Sequence, residues 1–142
     1  MDIKTFLRQY APALRYAQKC FDELDDARGT SLKSPRLDGM PRGGGGHGLD
    51  DQIARIDALE RMAATARDKA LEMAEVIEQI IESVQDNDEK AVLRLRYLRG
   101  YTWEEVGVEL GWSVTSAWRI HGRAIQKLRK GGQKWDALSN GS

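Results

Sequence analysis

The chain has 142 residues, one cysteine, and 22 Lys+Arg against 22 Asp+Glu, for a formal net charge of zero. At 31% charged and 41% hydrophobic it is too apolar for wholesale disorder and too polar for a membrane protein, and a lone Cys20 excludes an internal disulfide or a cysteine-based zinc site. The N-terminal residues lack an apolar signal-peptide core, which predicts a soluble, cytoplasmic protein. The neutral total hides a gradient: the net charge is +2 over residues 1–48, −6 over 49–86 and +4 over 87–142. An acidic middle beside a basic end suits a spacer next to a nucleic-acid-binding module, although balanced solvent-facing surfaces would give the same sums.

Residues 2–27 read as a first helix. Ile3, Leu7, Tyr10, Leu14, Ala17, Phe21 and Leu24 recur in steps of four and three, a heptad stripe. Pro12 cannot donate its backbone hydrogen bond, so a kink or restart is expected near Tyr10–Ala11. Residues 28–48 hold Pro35, Pro41 and the run Gly43–Gly46, and predict a long mobile loop. Residues 49–86 read as a long helix with a stripe at Ile56, Leu59, Ala63, Ala66, Ala70, Met73, Ile77, Ile80 and Val84. The first helix, folded back antiparallel, is one partner for it; a second copy of the chain is the other. Ile77, Ile80 and Val84 extend beyond the first helix and form a hairpin or oligomer seam that the C-terminal module or another subunit must cover.

Residues 87–130 carry the most information. Asp86-Asn87-Asp88 marks a stop and restart, with Asp88 as the expected cap of a helix running to Gly100. Thr102 and Glu105 have the spacing of a capping box. Val106 and Leu110 form the inner face of that helix, Gly107 lies where a Cβ would obstruct a close crossing, and Gly111 suits a left-handed turn. Trp112 follows, Ser113 is a second cap, and a last helix runs from Val114 to about Lys130 with Ala117 and Ile120 facing inward. Together these residues make a helix-turn-helix pattern. The alternative is an ordinary small helical bundle with a glycine turn. The expected fold is all-α: a helical hairpin or coiled coil over 1–86, a three-helix helix-turn-helix domain over 87–130, and a flexible tail over 131–142.

The segment VLRLRYLRGYTWEEVGVELGWSV at residues 92–114, continuing to RAIQKLR at 123–129, resembles the region-four helix-turn-helix of bacterial sigma factors. The layout of the whole chain is similar to small phage and prophage regulators of late genes, of the ArpU/RinA type. The resemblance implies transcriptional control, with the last helix in the major groove of a promoter. Its base-facing positions are then Val114, Thr115, Trp118, Arg119 and Arg123. Housekeeping sigma factors carry Arg, Glu and Arg where this chain has Val114, Thr115 and Trp118, so the site read is not the housekeeping −35 sequence. Arg119 and Arg123 remain for guanine, and Val114 and Thr115 suit a thymine methyl. Trp118 has three readings: core packing, sugar–phosphate contact or a protein partner. Arg94 matches a backbone-contacting arginine of the sigma domain. Thr102, Lys127, Arg129 and Lys130 are further candidates for phosphate contact, the lysines and Arg129 alternatively being a solvated helix end.

His47 and His121 have no ligand-spaced companions, Gly43–Gly46 is not a phosphate loop, and no nucleophile–base pair can be assigned. Lys33, Arg36 and Arg42 read as a solubilising linker or as contacts to DNA or polymerase. The expectation is a non-enzymatic DNA-binding regulator without cofactor, metal, membrane or small-molecule substrate. Its partners would be double-stranded DNA, a second copy in a homodimer, and RNA polymerase. Two rival readings are a small-terminase-like DNA-packaging protein and a sigma-like module that binds polymerase without reading DNA.

Overall fold

The computed structural model describes residues 1–32 and 45–131. Among these there is no strand. The elements are α1 (Ile3–Leu7), α2 (Tyr10–Leu32), α3 (Gly45–Glu82), α4 (Asn87–Leu93) continuing into a π-helical turn at Arg94–Leu98, α5 (Trp103–Leu110) and α6 (Val114–Lys130). No helix among the described residues is long and apolar enough to cross a membrane.

The break expected from Pro12 falls at Arg8–Gln9, and α2 restarts at Tyr10, which puts Pro12 in its first turn, where a missing N–H costs nothing. The region expected as loop is shorter than 28–48, because α2 reaches Leu32 and α3 begins at Gly45. Pro35, Pro41, Gly43, Lys33, Arg36 and Arg42 lie outside the described residues, as does the tail from residue 132.

The described residues fall into two compact units. One is residues 13–69; the other joins Met1–Pro12 to the chain from Ala70 onward. In the first unit, Ala17, Cys20 and Leu24 of α2 pack on Leu59, Ala63 and Ala66 of α3, flanked by Phe21, Ala27 and Ile56. Ala13 and Tyr16 of early α2 lie beside Arg61 and Lys69, and Glu23 and Ala27 beside Asp51 and Arg55, so the pair is antiparallel, and the small residues Ala63 and Ala66 let the axes approach. An Arg28–Glu60 ion pair closes the other end. Leu14, placed on the stripe by its spacing, is exposed instead. The break before Tyr10 splits that stripe: Ile3 and Leu7 serve one core, Ala17 and Leu24 the other.

In the second unit, Ile3, Phe6 and Leu7 of α1 pack with Ile77, Ile80, Ile81 and Val84 of α3, with Leu93 and Tyr97, and with Ala124 and Ile125 of α6. Ile77, Ile80 and Val84 are thus buried within the chain's own core, covered by the C-terminal module together with α1, the first of the two expected arrangements, rather than by another subunit. A second cluster joins Val92, Val106 and Ala117, with Leu95, Tyr101, Trp103, Leu110, Trp112 and Ile120 packed around it. Asp86, not Asp88, caps α4: its carboxylate accepts from Asp88 N at 2.8 Å and Glu89 N at 3.1 Å.

The turn between α5 and α6 is held by backbone constraints. Gly111 adopts φ +72°, and Trp112 N donates to Gly107 O at 2.9 Å. A Cβ on Gly107 would stand 2.7 Å from the carbonyl oxygen of Trp112, so what it would obstruct is the turn's backbone rather than a crossing side chain. Gly107→Ala should therefore lower stability by about 1–3 kcal/mol, as overpacking against backbone does. A thermal melt several degrees below wild type is expected; an unchanged melt would contradict this geometry.

Candidate nucleic-acid interface

Helix α6 is the second helix of the helix-turn-helix, and its two faces differ sharply. Ala117, Ile120, His121, Ala124, Ile125 and Leu128 point inward or lie half-covered. At 3.6 residues per turn, Thr115, Arg119, Gly122, Arg123 and Gln126 share the opposite face. Ser113 caps the helix, its hydroxyl accepting from Ser116 N at 3.1 Å.

Val114, Thr115, Trp118, Arg119 and Arg123 are all exposed. Trp118 is 53% exposed, which corrects the core-packing reading. Its ring stands 6.4 Å from those of Trp103 and His121, and Lys4 Nζ lies 5.9 Å from its centroid. Arg119 has neither an ion pair nor a hydrogen bond among the described residues. Arg123 Nε lies 4.0 Å from Glu89 Oε2, which also accepts from Lys127 Nζ at 2.9 Å. Glu89 is 1% exposed and its other oxygen has no protein partner, so this carboxylate is held by the two cations of α6 beside it.

The phosphate-contact candidates are occupied to differing degrees. Arg94 donates twice to Glu78, at 2.9 and 2.7 Å, and once to Glu82 at 3.3 Å. This bidentate pair lowers the Glu78 pKa and raises that of Arg94. Arg129 holds both oxygens of Asp2 at 2.9 Å, which keeps the Asp2 carboxyl down at about 2. Arg94 and Arg129 are thus paired with carboxylates that a phosphate contact would have to displace. Thr102 accepts from Glu105 N at 3.1 Å and donates its own N–H to the Glu105 carboxylate at 2.8 Å, the complete capping box. With Glu104 beside it, that helix start presents carboxylates, which oppose a phosphate there. Lys130 is exposed and unpaired among the described residues. Val106, Gly107, Leu110, Gly111, Trp112, Ala117 and Ile120 build the turn and the core beneath α6.

Several groups at this site carry no local sequence signal. Arg96 stacks over Trp103 at 4.6 Å and donates to Tyr101 O at 2.9 Å. Lys4 comes from the far end of the chain. Tyr97 Oη and His121 Nε2 form a buried 2.7 Å hydrogen bond, and Trp103 meets the imidazole edge-on at 4.8 Å. Burial raises the Tyr97 pKa. Burial, reinforced by the charges of Lys4, Arg96 and Arg8, pulls His121 from 6.5 down to about 4. A neutral imidazole under an aromatic lid is a packing group. Among the described residues no set of three His, Cys, Asp or Glu is placed to hold a metal.

Residues 86–130 match the family model described as Sigma-70, region 4, a DNA-binding helix-turn-helix. The chain matches no curated protein and no solved structure.

The His121 environment fixes a pH dependence. Between pH 6.5 and about 4 the unfolded chain binds a proton that the folded chain excludes, so stability rises with pH across that window. It is fully present above 6.5 and falls as pH drops towards 4, by up to about 3 kcal/mol. The Asp2 carboxyl titrates below this window. Denaturant titrations from pH 7 to 4 should show this slope in the wild type and a flatter one in His121→Gln. An equal slope in both would contradict the assignment.

Proposed function

We propose that the chain is a sequence-reading, DNA-binding transcriptional regulator that lays α6 in the major groove. The observation that carries this reading is the outward face of α6, where Arg119 stands unpaired beside Thr115 and Arg123 on the second helix of a helix-turn-helix. The first turns of such a helix meet base edges, and Arg to guanine is the commonest specific contact. Val114, Thr115, Trp118, Arg119 and Arg123 are the base-facing set. Lys127 and Lys130 supply charge to phosphates, Lys127 after exchanging its Glu89 partner. The resemblance to late-gene regulators supports a phage promoter as the target and the cytoplasm of a bacterial host as the setting. Dimerisation, supported by the exposed Leu14, Tyr16 and Met62 of the helix pair, would set the distance between two half-sites.

A second reading, docking on RNA polymerase without reading DNA, draws on the outer face of α5. Val108 is 85% exposed there among Glu104, Glu105 and Glu109, a surface that DNA repels.

Fragments of the encoding genome, selected on the purified chain and sequenced at two salt concentrations, test the main reading. Enrichment of one short site is expected, with affinity falling steeply with salt. Arg119→Ala should cost about 1–3 kcal/mol and relax preference at one position. No enrichment at low salt would overturn direct reading in favour of polymerase docking. A particle mass of many subunits would point instead to a packaging ring.

A further inference from the structure

We propose that Gly122 marks the place where the sugar–phosphate wall of bound DNA lies directly against the backbone of α6, an approach that any side chain there would block. The inference rests on the DNA-reading role of α6 and names a contact within it. Gly122 is at the centre of the helix, with eight residues before it and eight after. A glycine in mid-helix weakens the helix relative to alanine, so its presence calls for a cause. Neither intrachain cause applies. The glycines with positive φ are Gly100 and Gly111, and Gly122 is not among them. Apart from its chain neighbours and its own helix backbone, nothing lies within 4 Å of the place its Cβ would occupy, whereas a Cβ on Gly107 would strike the Trp112 carbonyl. Gly29 of α2 is equally unconstrained within the chain, so what sets Gly122 apart is its place on the exposed face of α6, where the cause lies outside the chain.

The position fits that cause. Gly122, half-buried, lies on the outward face of α6 with the exposed Arg119 and Arg123. A helix with its side chains is about 10–12 Å across and the major groove about 12 Å wide, so an absent side chain changes how closely the two can meet. The first two turns of α6 face the bases, and Gly122 falls in the third, where a straight helix meets the wall of the groove. Its backbone N–H is used within the helix, so the contact is close packing and Cα–H to phosphate oxygen. Such a contact carries no sequence information.

The test uses the full chain, the genomic fragment it selects and an unrelated duplex. Gly122→Ala is compared with wild type and with Gly29→Ala, a second helical glycine whose Cβ would also meet nothing within 4 Å. Both variants should melt higher than wild type, by about 2–5 °C. Gly122→Ala alone should bind DNA about tenfold more weakly, to a similar degree on both duplexes. Three results would overturn the proposal while leaving the DNA-reading role intact: undiminished binding by Gly122→Ala, a loss confined to the selected fragment, or a lowered melting temperature. Failure of the wild type itself to bind either duplex would overturn that role and the proposal with it.

Discussion

One face of α6 has to fill two cores at once. Its first half places Ala117 and Ile120 against Val92 and Val106; its second half places Ala124 and Ile125 against Ile77, Ile81, Leu93 and the α1 side chains. Ala117 and Ala124 have no exposed surface, so the elements they meet stand close to the helix axis. Larger side chains at these positions would push α4 or α5 away. Each fully buried Ile or Leu beneath adds about 1.5–3 kcal/mol of transfer free energy, so the outward stripe of α6 is presented by a helix that cannot turn about its axis. Precise placement of Arg119 and Arg123 is a consequence of that packing.

The second constraint is electrostatic. The positive sum over residues 87–142 overstates what faces a ligand. Arg94 is tied to Glu78 and Glu82, Arg129 to Asp2, and Lys127 with Arg123 to the buried Glu89. The bidentate pairs join elements distant in sequence: Asp2 of the N-terminal turn to the end of α6, and α3 to the π-helical turn. Cations spent on holding the fold are less available to phosphates, which leaves Arg119 and Lys130 as the open charges of α6.

The helix-turn-helix was legible because its determinants are local. Gly107, Gly111, Thr102 with Glu105, and Ser113 act within a few residues of themselves, and spacing alone carries them. The same holds for the antiparallel pairing through Ala63 and Ala66. The need to cover Ile77, Ile80 and Val84 was also legible, as was the C-terminal module as a cover, but not the share taken by α1, which is about seventy residues distant and only five residues long. The break in the heptad from Ile3 to Leu24 was legible from Pro12, but not that its two halves serve different cores. Arg94 and Arg129 were legible as cations, but their carboxylate partners are not neighbours in sequence. The π-helical turn has no residue signature, and it carries Tyr97 to His121 across 24 positions. At the candidate interface, spacing reveals which side chains share a face; which of them are already engaged depends on contacts from α1, α3 and α4.

DNA reading requires that α6, and not the outer face of α5, meets the duplex. Backbone amide NMR of the full chain, titrated with the selected duplex, addresses this directly. The largest shifts are expected at Thr115, Arg119, Gly122, Arg123 and Gln126, with Glu105, Val108 and Glu109 on the outer face of α5 unmoved. Shifts centred on Val108 and its neighbouring glutamates, or none on α6 at saturating duplex, would contradict it.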